Sequence, residues 1–195
     1  KQAPEILERV CELFQREAIA AWPAFGTLLG LIREAGLIKN DLDLDFGVVY
    51  DEHVQSQIQT LLTSYGFTRV FLARDQHETI FLEKYMRSGV PLDIYYFFAK
   101  NDKLCSYDLE QDGSLTVLER VHSGESVYAY RSEFTSFTLQ KKKIANLTVN
   151  LPSSVHDHLS ECYGANYTRP DPGWHNNKRT VRYRDPSISP HVKEY

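Results

Sequence analysis

Cysteine is scarce in this sequence, and long apolar runs are absent. The three cysteines, Cys11, Cys105 and Cys162, are far apart and odd in number. That excludes a disulfide scaffold and a zinc knuckle, and leaves reduced, structural thiols. No apolar stretch approaches the roughly 20 residues that a membrane-spanning helix needs. No secretory leader is recognisable, although the chain begins at Lys1 and fits a piece of a longer protein. Two glycosylation tripeptides, Asn146-Leu147-Thr148 and Asn166-Tyr167-Thr168, keep a secretory origin open.

A surplus of positive charge is also missing. The formal net charge is −4, without the basic footprint of a nucleic-acid-binding domain. Basic residues gather only at the end, where Arg169, Lys178, Arg179, Arg182, Arg184 and Lys193 stand against Asp171, Asp185 and Glu194. That end suits a phosphorylated substrate or an anionic surface, or is simply a solvated terminus. Peripheral association with a membrane stays open on this ground.

What is present fits one globular domain. The 195 residues are 42% hydrophobic and 25% charged, enough to bury a core and hold a rigid site. Apolar spacing predicts a helix over 4–20, with Ile6, Leu7, Val10, Leu13 and Phe14 on one face. Trp22-Pro23-Ala24-Phe25 reads as extended, Gly26-Thr27 as a break, and 28–34 as a short helix stopped by Gly36. Strict alternation over 41–49 predicts a strand, with Leu42, Leu44, Phe46 and Val48 on one side and Asp41, Asp43 and Asp45 on the other. A helix follows over 52–65. Strands are expected over 67–73, 78–86 and 90–98, with Arg87-Ser88-Gly89 as a tight turn. From Asn101 the chain reads as polar and irregular, with a turn at Asp112-Gly113, and then β-rich to about Val149. Pro152 is expected to start a helix ending at Tyr163. The last thirty residues are expected to wrap the surface.

Three aspartates on one face of a strand repel one another at about 7 Å spacing unless a cation lies between them. Mg²⁺ takes oxygen ligands, often a few carboxylates together with substrate phosphates and water. Asp43 and Asp45 suit such an ion, and Gly47 would leave room for a substrate. A solvated acidic edge strand is the plainer alternative. A calcium loop fits poorly, because Phe46 stands where its sharp turn requires glycine. Gly26-Thr27 before a helix suits a phosphate. Asp93, in the apolar run Val90-Pro91-Leu92-Asp93-Ile94-Tyr95, needs a partner or a metal.

Residues Phe25 to Ile38, which contain Gly26-Thr27-Leu28-Leu29-Gly30, are followed by Asp41-Leu42-Asp43-Leu44-Asp45-Phe46-Gly47. This block resembles the LicD/fukutin family, within the polymerase-β type of nucleotidyltransferase fold. Asp93-Ile94-Tyr95 and the segment Leu159 to Pro170 are similar to later family motifs, so the resemblance spans about 20–175. Where many bacterial members have Pro-Trp, this chain has Lys39-Asn40, which bears on acceptor contacts.

The resemblance implies an α+β fold with a mixed sheet flanked by helices, in one catalytic domain. Its core would be about 20–100, with a C-terminal extension over about 150–195; the polar insertion over about 100–135 matches no family motif and is a candidate for acceptor specificity. It implies Mg²⁺-dependent transfer of a phospho-alcohol or phospho-sugar, such as phosphocholine or ribitol phosphate, from a CDP-linked donor to a glycan hydroxyl. Mn²⁺ is an alternative ion. Asp43 and Asp45 would bind the metal, with Asp93 as a further ligand or the general base. Gly26 and Thr27 would hold the donor diphosphate. Apart from the resemblance, Arg33 suits a phosphate or a surface ion pair, and Lys178, Arg179 and Arg182 suit a basic flap or a solvated tail. Trp174 and His175 suit the nucleotide or packing on the body, and Asp41 suits the acceptor or water. Transfer of NMP from an NTP, and a non-catalytic glycan-binding domain, are the competing readings. A bacterial cytoplasmic enzyme of surface-glycan synthesis and a Golgi-lumen domain both fit.

Overall fold

The computed structural model describes residues 2–39, 41, 43–109, 116–171, 173, 174, 178, 179 and 181–195. Leu42, the Asp112-Gly113 turn and His175 lie outside the described residues. Helix α1 (Gln2–Arg16) buries Ile6, Leu7, Val10, Leu13 and Phe14, the stripe its spacing predicts. It stops short of 20, and Ala18 takes a left-handed φ of 54° in the turn that follows. Strand β1 (Trp22–Pro23) leads into α2 (Phe25–Glu34), which starts earlier than the sequence suggests. Gly26 and Thr27 are therefore not a break. They form the first helical turn, where N–H groups have no partner within the helix.

Strand β2 (Leu44–Val49) is shorter than the alternating run. Asp43 and Asp41 precede it, so only Asp45 of the three projects from a strand. Helix α3 (Glu52–Ser64) is capped by Asp51, whose carboxylate accepts the N–H groups of His53 and Val54. Strands β3 (Thr68–Arg74), β4 (Ile80–Arg87) and β5 (Val90–Lys100) follow, close to expectation.

The described part of the stretch read as irregular is regular structure. Strand β6 (Lys103–Leu109) returns from β5 after two residues. Helix α4 (Val117–Ser123), with a capping box at Thr116, and strand β7 (Ala129–Thr135) complete the segment. Strands β8 (Leu139–Ile144) and β9 (Leu147–Pro152) form a separate hairpin. Pro152 ends β9 and does not open a helix; α5 (Val155–Tyr163) begins three residues later. The tail does more than wrap the surface. Strands β10 (Arg182–Arg184) and β11 (His191–Glu194) pair with β7 and β3.

The main sheet runs β10-β7-β6-β5-β4-β3-β11, and β2 joins it alongside β5 with β1 beyond. The fold is α+β, with β2 parallel to β5 in an otherwise antiparallel sheet. One apolar core joins α1, α2 and α3 to the inner residues of β2 and β5. A second, aromatic core holds Trp22, Phe25, Phe81, Phe97 and Phe134. Each fully buried side chain of this size contributes about 1.5–3 kcal/mol, so the frame around the acidic residues is stiff. The three cysteines are free and buried.

Gly47 has a different task from the one its place after the aspartates suggests. A Cβ there would lie 2.5 Å from the Trp22 indole, across the β1–β2 pair. The glycine admits tryptophan, not substrate.

Candidate metal centre and its cleft

Register builds the centre. Asp45 on β2 and Asp93 on β5 are partners across the parallel pair. Lys84 on β4 is the antiparallel partner of Asp93 on its other side. In-register residues share a face, so the three side chains stand in one row. Thr27 ties α2 to this row: its Oγ1 accepts the Asp45 N–H at 2.8 Å, and its side chain is buried. The side chain the sequence offered to a phosphate therefore holds the strand that carries Asp45. At Gly26, a Cβ would lie 2.7 Å from Asp41 Oδ2 and 3.5 Å from Asp45 Oδ2. The bare backbone lets carboxylates approach the positive end of α2.

Asp43, Asp45 and Asp93 each bring one carboxylate oxygen to within 4.8 Å of the others. Asp45 and Asp93 are buried. Burial, then Asp43, Asp93 and Asp41, push the Asp45 pKa well above its ordinary range. Burial pushes Asp93 to about 6, against the pull of Lys84, whose ammonium lies 3.1 Å from Oδ2. Burial disfavours the Lys84 charge as well, yet Asp93, Asp43 and Asp45 outweigh it and raise its pKa. The other Asp93 oxygen, Oδ1, is buried without a hydrogen-bond partner. An all-oxygen donor set with a buried, unsatisfied carboxylate oxygen fits a hard divalent cation.

The centre opens into a cleft of about 280 Å³. Phe25, Gly26, Asp41, Asp43 and Asp45 line one part, and Tyr95, Asp108, Tyr163, Trp174 and Arg179 another. Phe25 has a φ of 40°, a left-handed conformation costing about 1–3 kcal/mol in a non-glycine residue. Its ring packs at 4.7 Å edge-on to Tyr95, and the Arg179 guanidinium lies 4.2 Å over it. Asp108 steadies two arginines. It accepts from Arg182 Nη2 at 2.7 Å and lies 3.6 Å from Arg179 Nη1. Tyr163 and Trp174 pack with centroids 4.7 Å apart and their planes tilted by 50°.

Not every residue drawn from the sequence lies on this cleft. Arg33 pairs with its neighbour Glu34 at 2.6 Å. Lys178 pairs with Asp171 at 3.3 Å on the surface. Neither lines the cleft. Arg182 is buried behind the wall, on Asp108, with Tyr130 3.8 Å from its guanidinium. Arg179 alone of the basic residues proposed for a flap reaches the cleft, and it does so buried in the wall rather than on a mobile surface. Lys84 and Asp108 are additions that sequence reasoning missed. The only available signal for Lys84 was its place in a strand, and Asp108 fell in a stretch read as irregular.

The comparisons agree with this architecture. The family described as LicD/FKTN/FKRP, nucleotidyltransferase domain, matches residues 18–154. A mouse protein named ribitol-5-phosphate transferase FKTN is 24% identical over 179 residues, 89% of this chain and 35% of that one. Its human counterpart is 20% identical over 174 residues, again 89% and 35%. The chain thus spans about a third of these curated relatives. An uncharacterized protein of Rickettsia typhi, RT0683, is 30% identical over 160 residues, 82% of this chain and 44% of that one. Among solved structures, ANT(2")-Ia in complex with adenylyl-2"-tobramycin superposes with a TM-score of 0.50 at 10% identity. It covers 91% of this chain and 83% of its own, a likeness of fold. No helix among the described residues is long and apolar enough to cross a membrane. With residues 18–154, most of this chain, matched by the family's domain, the chain belongs to the LicD/FKTN/FKRP family of nucleotidyltransferase domains.

Proposed function

We propose that this chain transfers a phospho-alcohol or phospho-sugar from a CDP-linked donor to a glycan hydroxyl, with Mg²⁺ or Mn²⁺ held by Asp43, Asp45 and Asp93. The observation that carries the reading is the convergence of these carboxylates within 4.8 Å beside the N-terminus of α2. The names of the mouse and human relatives support the ribitol phosphate class of cargo.

In the proposed reaction an acceptor hydroxyl attacks the phosphorus that bears the alcohol. A new P–O bond forms, the bond to CMP breaks, and CMP leaves with its electron pair. The bound cation would neutralise phosphate charge and the developing charge on the leaving oxygen. The hydroxyl proton is released to solvent, because both Asp93 oxygens are engaged in this reading, Oδ1 with the cation and Oδ2 with Lys84. The first-turn N–H groups at Gly26 and Thr27 face the donor diphosphate. Arg179, fixed on Phe25 and Asp108, adds a positive wall to the cleft. Trp174, packed at a tilt against Tyr163, offers an aromatic surface to the cytosine. Acceptor choice is assigned to the 100–135 region, which brings Asp108 to the wall.

The test is product analysis. The chain is incubated with Mg²⁺ and CDP-ribitol, CDP-choline or CDP-glycerol, together with candidate glycans. Release of CMP with addition of the phospho-alcohol supports the proposal. Pyrophosphate release from CTP or ATP, with NMP on the acceptor, would assign nucleotidyl transfer instead. Glycan binding that survives Asp43→Ala with Asp45→Ala, and no transfer with any donor, would leave a binding domain.

A further inference from the structure

We propose that Lys84 is a positioning residue that limits Asp93 to one metal-binding oxygen and thereby selects Mg²⁺ over Ca²⁺. The inference rests on the metal reading of Asp43, Asp45 and Asp93. The two oxygens of Asp93 are in different states. Oδ2 is held by the Lys84 ammonium at 3.1 Å. Oδ1 is buried and lacks a hydrogen-bond partner. Lys84 is not a loosely solvated lysine. Its side chain is only 25% exposed, its ammonium lies 6.0 Å from the Phe71 ring centroid, and register sets it opposite Asp93.

The two alkaline-earth ions make different demands on a carboxylate. Ca²⁺ accepts six to eight oxygens and often takes both oxygens of one carboxylate, whereas Mg²⁺ requires octahedral geometry and single oxygens. A two-oxygen grip by Asp93 would turn Oδ2 away from Lys84. That leaves a largely buried ammonium without its partner, which is costly. A one-oxygen grip through Oδ1 keeps the pair intact. Lys84 therefore penalises Ca²⁺ more than Mg²⁺. Its general repulsion of a divalent ion acts on both alike and cancels in the ratio of their affinities.

The experiment follows Mn²⁺ by electron paramagnetic resonance, where binding to the whole chain removes the free-ion signal. Mg²⁺ and Ca²⁺ are then titrated as competitors against wild type, Lys84→Met and Lys84→Arg. Methionine matches the stem without charge or donor, and arginine can still hold Oδ2. The expected result is a shift of the competition ratio toward Ca²⁺ by about tenfold in Lys84→Met, the scale at which metal sites respond to loss of a supporting contact, with Lys84→Arg close to wild type. Melting curves establish that the variants are folded. An unchanged ratio in folded Lys84→Met, or an equal shift in Lys84→Arg, overturns the role given to Lys84 while the metal reading stands. Absence of Mn²⁺ binding by wild type overturns both.

Discussion

The hydroxyl of Thr27 accepts the backbone N–H of Asp45 at 2.8 Å, joining the first turn of α2 to the strand that carries the buried aspartate. The bond spans eighteen residues of sequence and is fully buried. It sets the distance between the first turn of the helix and the carboxylates. Thr27→Val keeps the shape and leaves the Asp45 N–H unpaired. Stability should fall by about 1–3 kcal/mol in urea or guanidinium unfolding. Thr27→Ser, which retains the acceptor, should lose less than half of that. Equal losses in the two variants would mean that packing, not the hydrogen bond, makes Thr27 matter.

The raised carboxylates give the metal-free protein a pH signature. A carboxyl whose folded pKa exceeds its unfolded value adds stability at low pH, and that contribution is lost as pH rises through the folded pKa. For Asp93 the window runs from about 4 to about 6, on the order of 3 kcal/mol. Asp45 acts in the same direction. Without divalent ions, this centre should therefore favour the fold more at pH 5 than at pH 7. Mg²⁺ should raise the melting temperature more at pH 7 than at pH 5, because protons compete for the same oxygens. Asp45→Asn should stabilise the metal-free chain at pH 7 and remove most of the response to Mg²⁺. Differential scanning calorimetry at both pH values, with EDTA or Mg²⁺, decides the matter. A Mg²⁺ response that is larger at pH 5 would contradict the assignment.

Two glycines near the acidic run should behave in opposite ways. At Gly47 an added methyl meets the buried Trp22 ring at 2.5 Å, and a rigid ring cannot step aside. Gly47→Ala should cost about 1–3 kcal/mol and alter tryptophan fluorescence. At Gly26 the nearest atom is the Asp41 carboxylate oxygen at 2.7 Å, the end of a side chain that can rotate. Gly26→Ala should leave stability unchanged or slightly higher, since alanine favours helix. Transfer should nonetheless fall at least tenfold, about 1.4 kcal/mol of barrier, because the methyl occupies the approach to α2. If Gly26→Ala retains full transfer, the helix end is not where the donor sits.

These contrasts show which parts of the molecule local sequence could express. Asp45 and Asp93 were visible because a carboxylate inside an apolar strand is anomalous by itself. Their partnership was legible only through the family resemblance, because it depends on the parallel register of β2 and β5, set by packing between distant segments. Lys84 escaped notice because a lysine between apolar strand residues reads as the solvent side; burial of that side is a tertiary fact. Strand β6 was hidden for a related reason. Ser106 and Asp108 interrupt its apolar pattern, and both are buried, with Asp108 on the cleft and holding Arg182. At Arg33 and Lys178 the sequence left a phosphate role and a plain surface role open, and in the structure each side chain pairs with a nearby carboxylate.

The tail strands β10 and β11 have a consequence for how the protein behaves in concentrated solution. Unpaired strand borders are templates on which other chains can add. Here the last segment of the chain covers β7 at one end and β3 at the other, and the strands it leaves outermost carry Arg182, Arg184, Lys193 and Glu194. Charged, short borders are poor templates. The same fifteen residues that close the sheet thus act as its guard against fibril-like association.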